Sequence, residues 1–199
     1  MTKSEKILQI ANNNNGYITA KEVRIAKINS TELTRLVKEN KLERISRGFY
    51  CTTDSFHDEY YKIQLKSKNC IYSHETALYF YDLSDRTPLQ LDLTVPSGYN
   101  GSLRLIDKVN LHYIKKEYLE LGLTTITTPF GTNIRIYDLE RTICDIIKNY
   151  KKMDREIFTK ALQRYSKFKN KDLNKLMRYA KKLNVDKKVR EYMELIISL

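Results

Sequence analysis

GYITAKEVRIAKINSTELTRLVKENKLERISRGFY, residues 16–50, is the stretch whose pattern decides the fold. Thr19 followed three residues later by Glu22 has capping-box spacing, in which the hydroxyl accepts from an early helix amide and the carboxylate reaches back to the cap. That starts a short helix ending near Ile25. Asn29 and Glu32 repeat the spacing beyond Ala26-Lys27-Ile28, so a second helix is expected from about Ser30 to Glu39. On it Leu33, Leu36 and Val37 fall at i, i+3 and i+4 and turn one stripe inward. Thr31, Thr34, Arg35 and Lys38 are left outward. Beyond Asn40-Lys41, Ile45, Phe49 and Tyr50 flank a turn at Arg47-Gly48, where glycine supplies the positive φ of a tight turn. A helix pair leading directly into a basic hairpin is the outline of a winged helix.

Short hydroxyls and long cations are what a recognition helix offers to base edges and phosphates. The candidate DNA contacts are therefore Ser30, Thr31, Thr34, Arg35 and Lys38 on the second helix, with Arg44, Ser46 and Arg47 on the wing. A single winged helix reads a short site, so double-stranded operator DNA with repeated half-sites is the expected partner.

Before this stretch, Lys3 to Asn12 reads as a first helix with Ile7, Leu8 and Ala11 inward, stopped by the Asn run that ends at Gly16. Tyr17-Ile18 suits a small strand pairing with the wing. After it, Cys51 to Phe56 loses the apolar period and reads as a linker, dividing a winged-helix domain, 1–55, from a larger domain, 56–199. A helix over Asp58 to Lys66 leads into that domain. Short strands are expected at Cys70–Tyr72, Leu89–Val95, Val109–Ile114, Leu123–Thr128 and Asn133–Tyr137, with a Ser73-capped helix reaching Tyr81. His74 and Glu75 in its first turn suit a helix start better than catalysis.

Asp138 caps a helix in which Leu139, Ile143, Ile146 and Ile147 form the packing stripe. Arg141 and Asp145, four apart on another face, are expected to pair for roughly 0.3 kcal/mol. Helices at Asp154–Ser166, Asp172–Leu183 and Asp186–Leu199 complete the chain. The class is α+β: an N-terminal winged helix-turn-helix, then a larger mixed α/β domain ending in helices.

The net charge of +12 is concentrated at the two ends. Residues 1–50 hold ten Lys/Arg against five Asp/Glu, and residues 151–199 hold fifteen against six, whereas residues 51–150 hold eleven against thirteen. A basic winged helix fits DNA binding through counterion release. In the C-terminal region Lys171, Lys175, Arg178 and Lys182 fall in one stripe, opposite Leu173, Leu176, Met177 and Ala180. This second basic surface is either a further DNA contact, the surface on which another activity depends, or a solvated face.

Cys51, Cys70 and Cys144 lack C-x-x-C spacing and read as reduced, buried thiols. With no long apolar run and no signal-peptide core, a cytoplasmic protein that does not enter the membrane is expected. Three scattered His and the absence of a P-loop or H-E-x-x-H argue against a metal centre or a bound cofactor. Gly101-Ser102 lacks the paired carboxylates of a nucleotidyltransferase, and Asp92 lacks the following acid-x-Lys of a nuclease. No enzymatic activity is expected.

Gly16-Tyr-Ile-Thr, the helix pair and Ile45-Ser-Arg-Gly-Phe-Tyr50, with Ser73-His-Glu-Thr-Ala-Leu78 and Leu83-Ser-Asp-Arg-Thr-Pro88 downstream, resemble the AbiEi family of antitoxins. The similarity covers most of the chain and is strongest over residues 16–147. The resemblance implies a type IV toxin-antitoxin system of abortive infection and phage defence. In that family the winged helix represses its own operon, and the second domain counters a nucleotidyltransferase-like toxin without a stable complex. A stand-alone winged-helix regulator whose second domain senses a ligand or dimerises is the alternative.

Overall fold

The computed structural model describes residues 1–53, 58–67 and 69–197, the last two of these by backbone alone. The chain divides into two compact units, one of residues 1–68 and 127–134, the other of residues 69–126 and 135–199. This differs from a boundary at residue 55, and the linker expected over Cys51 to Phe56 is partly a strand, with residues 54–57 outside the described ones.

The first unit follows the chain signals closely. Helix α1 spans Lys3–Asn13 and opens with a capping box of its own, Thr2 with Glu5. Strand β1, Tyr17–Thr19, runs into α2, Ala20–Ile25, where Thr19 Oγ1 accepts from the Glu22 amide and the Glu22 carboxylate accepts from the Thr19 amide. Helix α3 covers Thr31–Lys38. Its start departs from the expected box: Asn29 Oδ1 accepts from the Thr31 amide, while Glu32 accepts from Ser4 Oγ of α1 instead of closing back on Asn29.

Both α2 and α3 end in paired 6→1 and 5→2 hydrogen bonds, Ile28 to Val23 with Lys27 to Arg24, and Lys41 to Leu36 with Asn40 to Val37. Lys27 and Asn40 accordingly take positive φ, and these stops set the sharp turns on either side of α3. Strands β2, Leu42–Ser46, and β3, Phe49–Thr52, form the wing, and β1 pairs with β3 to give a three-stranded sheet in the order β1-β3-β2. Ile7, Ala11, Ile18, Val23, Leu33, Leu36 and Leu42 fill the core between helices and sheet. Each Val, Leu or Ile among them contributes about 1.5–3 kcal/mol on burial. Helix α4, Glu59–Lys66, is capped by Asp58, whose other carboxylate oxygen accepts from Thr128 and Thr132.

The second unit is a mixed sheet covered by helices. Its strands are β4 (Ile71–Tyr72), β5 (Leu91–Pro96), β6 (Val109–Ile114), β7 (Leu123–Thr127) and β8 (Asn133–Tyr137), in the order β6-β5-β4-β8-β7. β4 is antiparallel to β5 and parallel to β8, and β5 is parallel to β6. β5 starts two residues later than its alternation suggests, leaving Leu89 exposed, and it is buried on both faces. Its polar face is accommodated because the Asp92 amide donates to Thr76 and the Thr94 hydroxyl to Ser73.

Helix α5, His74–Phe80, precedes α6, Leu139–Asn149, α7, Arg155–Lys167, α8, Leu173–Lys182, and α9, Asp186–Ile197. Ser73 stands at the start of α5 but makes no side-chain cap; its hydroxyl is committed to Thr94 and His74. α6 is the central helix, with its whole circumference buried from Leu139 to Ile147. Its Arg141–Asp145 pair is therefore not a surface pair: both residues are buried, Arg141 completely. All three cysteines are buried free thiols, and burial pushes Cys51 up to about 11 and Cys70 up to about 12.

Candidate nucleic-acid interface

Burial of Leu33 and Leu36 fixes the rotation of α3 and leaves Thr31, Thr34, Arg35 and Lys38 exposed on its outer side, with Ser30 exposed at its start. Arg35 is not a free cation. Its Nε donates to Glu39 Oε1 at 2.8 Å, and Nη1 lies 3.5 Å from Glu32 Oε2. The hydrogen bond to Glu39 raises the pKa of Arg35 and lowers that of Glu39. Exposed ion pairs of this kind are weak, so a phosphate or a guanine edge can take the place of Glu39.

The wing turns in two residues. Ser46 pairs with Phe49, leaving Arg47 and Gly48 at the tip, and only Gly48 takes positive φ, as the third residue of a type II turn requires. The register shifts between Arg44 and Ser46, a bulge that twists the hairpin. Arg44 and Arg47 are exposed. Ser46 behaves differently from the expectation. It is partly buried, and its hydroxyl donates to the Leu65 carbonyl of α4 at 3.1 Å, so it anchors the wing to α4.

The C-terminal stripe is interrupted in a similar way. Lys175 lies with its Nζ 3.0 Å from Asp138 Oδ2 and 3.2 Å from Glu140 Oε2, an internal bridge between α8 and the start of α6. Lys171 is partly buried, with Nζ donating to the Phe168 carbonyl, whereas Arg178 and Lys182 are exposed. On the opposite side Leu176 and Ala180 are buried, but Leu173 is 41% exposed. The four cations thus do not form one continuous charged face.

Residues 5–53 match the model of a family described as transcriptional regulator, AbiEi antitoxin. The resemblance read from the sequence is supported over this stretch, which holds α1 from its third residue, α2, α3 and the wing. The AbiEi match supports an antitoxin or DNA-binding regulator. Among solved structures, the crystal structure of RV2827C protein from Mycobacterium tuberculosis is similar, with a TM-score of 0.53 at 13% identity over 94% of this chain and 82% of that one. That likeness is one of fold. Comparison with curated proteins gave no match. Among the described residues, no helix is long and apolar enough to cross a membrane.

The sequence reading passed over a polar group in the second unit. His74, Asp92, His112, Arg141, Asp145 and Asn149 are brought together there, His74 to His112 and Asn149 and His112 to Asp92 across distant parts of the chain, and Arg141, Asp145 and Asn149 along α6. One signal pointed to it: Arg141, Asp145, Lys148 and Asn149 fall at i, i+4, i+7 and i+8, a polar stripe on a helix whose other faces carry Leu139, Ile143, Ile146 and Ile147.

Proposed function

We propose that the protein is the DNA-binding antitoxin of a type IV toxin-antitoxin pair. In this reading the winged helix binds repeated half-sites in the promoter of its own operon and represses it. The remainder of the chain counters a nucleotidyltransferase-like toxin without a stable complex, and no catalytic role is assigned. The observation that carries the reading is the presentation of Thr31, Thr34, Arg35 and Lys38 on the outer side of α3, beside a wing tipped by Arg47, within the stretch matched to a regulator family.

The test is binding of the purified chain to its own upstream DNA across a salt series. Arg47→Ala should weaken binding to all sequences and lower the log–log salt slope by about 0.9, the loss of one phosphate contact. Arg35→Ala should cost about 1–3 kcal/mol on the operator and relax its specificity. Unaltered binding in both variants overturns the interface. The division of labour is better tested by these point variants than by a truncation near residue 56, because residues 127–134 cluster with residues 1–68 and Thr128 and Thr132 bond Asp58. Variants that no longer repress should still protect cells from the toxin; loss of protection would make the winged helix part of the antitoxin activity.

A further inference from the structure

Three elements of the second unit bring polar faces together. The parallel register of β5 and β6 sets Asp92 beside Asn110 and Thr94 beside His112. Asn110 donates to Asp92 Oδ1 at 2.8 Å, and His112 Nε2 lies 2.7 Å from the same oxygen, so that imidazole nitrogen carries a proton directed at the carboxylate. The His74 ring stacks on that of His112, with centroids 3.5 Å apart.

The His74 tautomer follows from its neighbours. Asn149 Nδ2 donates to the Asp145 carbonyl, which identifies it as the amide nitrogen, and the same nitrogen lies 2.8 Å from His74 Nε2. Nε2 therefore accepts, and Nδ1–H donates to Ser73 Oγ at 2.9 Å. Burial first, then the electrostatic influence of the neighbouring His112, Arg141 and Lys148, pushes the His74 pKa well below the usual value and keeps the ring neutral. His74 is held here at φ +47, a conformation that few residues other than glycine adopt.

Against this wall lies the polar stripe of α6. Arg141 Nε donates to both oxygens of Asp145, and Nη1 donates to the Tyr118 and Leu121 carbonyls. Nη2 has no acceptor among the described residues. A buried donor left unpaired carries an uncompensated desolvation cost, larger when it is charged. The same residues border a cavity of about 250 Å³, whose wall includes His74, His112, Arg141, Asp145, Lys148 and Lys152. Its lining holds three cations, Arg141, Lys148 and Lys152, against the single carboxylate of Asp145. The excess positive charge of the lining favours an anionic ligand. The space is smaller than the roughly 300–1,000 Å³ of drug-sized sites.

We propose that this cavity binds a phosphate-bearing small molecule, its phosphoryl group reached by Lys148 and Lys152, with the charge of the buried Arg141 adding to the positive potential from within the wall and the stacked histidines as one side. Phosphate suits the lysine point charges, and its several oxygens match donors arriving from different directions. Lys148 and Lys152 are exposed, so they can be changed without opening the core.

The full chain is melted at constant ionic strength with increasing inorganic phosphate or adenosine 5′-monophosphate against chloride, while the His74 and His112 ring resonances are followed by NMR. A saturable rise in melting temperature with movement of both resonances is expected, since a ligand that binds only the folded state stabilises it. Tighter binding of the nucleotide would assign the site to a nucleotide phosphate, and equal binding to the phosphoryl group alone. Lys148→Gln/Lys152→Gln should weaken binding by roughly tenfold or more. Lys108→Gln/Lys169→Gln, at exposed positions outside the cavity lining, should not. Absence of saturable binding by both probes, or equal weakening in the two double variants, overturns the proposal. This readout is independent of operator binding and of protection against a toxin.

Discussion

Replacing Asp145 by asparagine keeps its shape and one acceptor oxygen but removes the charge that faces Arg141. The consequence is large because neither partner has access to water: the Arg141 side chain is 0% exposed and that of Asp145 6%. Nε loses one of two acceptors at 3.1 Å, and the guanidinium loses its only carboxylate partner among the described ion pairs. Removing one member of a buried pair costs about 3–5 kcal/mol. Two carbonyls still receive Nη1, and the guanidinium carbon lies 4.0 Å from the centre of the Tyr137 ring, so the lower end, about 3 kcal/mol, is expected here. For a chain of this length that corresponds to a melting temperature roughly 6–12 °C lower. Urea and thermal unfolding followed by circular dichroism measure it. The double variant Arg141→Met/Asp145→Leu removes both charges and should be more stable than the single one. A loss in Asp145→Asn below about 1 kcal/mol, the range of an exposed pair, would refute the burial argument.

Gly122 sits at φ +78, where a methyl group would lie 2.5 Å from Arg141 Cβ; Gly122→Ala should therefore cost about 2–5 kcal/mol, backbone strain and overpacking together. Gly98→Ala, at φ +85 with open space around the added carbon, should cost only the backbone share, and equal losses in the two unfolding curves would refute the contact. Because the folded state holds His74 neutral while the unfolded chain protonates it near pH 6.5, stability should fall as pH drops below that value, by about 1.4 kcal/mol per unit until the lower folded pKa is reached. His74→Asn, a residue that tolerates the positive φ, should remove this component of the pH dependence; an unchanged slope in pH-dependent urea titrations counts against a neutral His74. Lys175→Gln should destabilise by about 2 kcal/mol through loss of its bonds to Asp138 and Glu140. Lys171→Gln/Arg178→Gln/Lys182→Gln should instead leave the melting temperature unchanged and reduce operator affinity or protection. Survival of both activities in that folded variant would make those cations a solvated face.

The sequence by itself determined what depends on neighbours a few residues apart. The Thr19–Glu22 box, the Leu33-Leu36 stripe, the glycine of the wing turn and the spans of β6 and β8 appear as expected, because capping, helical period and turn conformation are settled within about one turn of chain. Tertiary structure decided what each polar side chain is for. Ser46 looks like a wing-tip donor until α4 brings the Leu65 carbonyl to it, and Lys175 looks like part of a cationic face until α6 brings Asp138 and Glu140 beneath it. The strand register and the rotation of α6 join His74, Asp92, His112 and Arg141, whose spacing along the chain carries no period. A helix buried around its whole circumference also turns an i, i+4 ion pair, worth a few tenths of a kcal/mol in water, into a buried pair whose disruption costs several, and burial of the far side of a helix is not a local property.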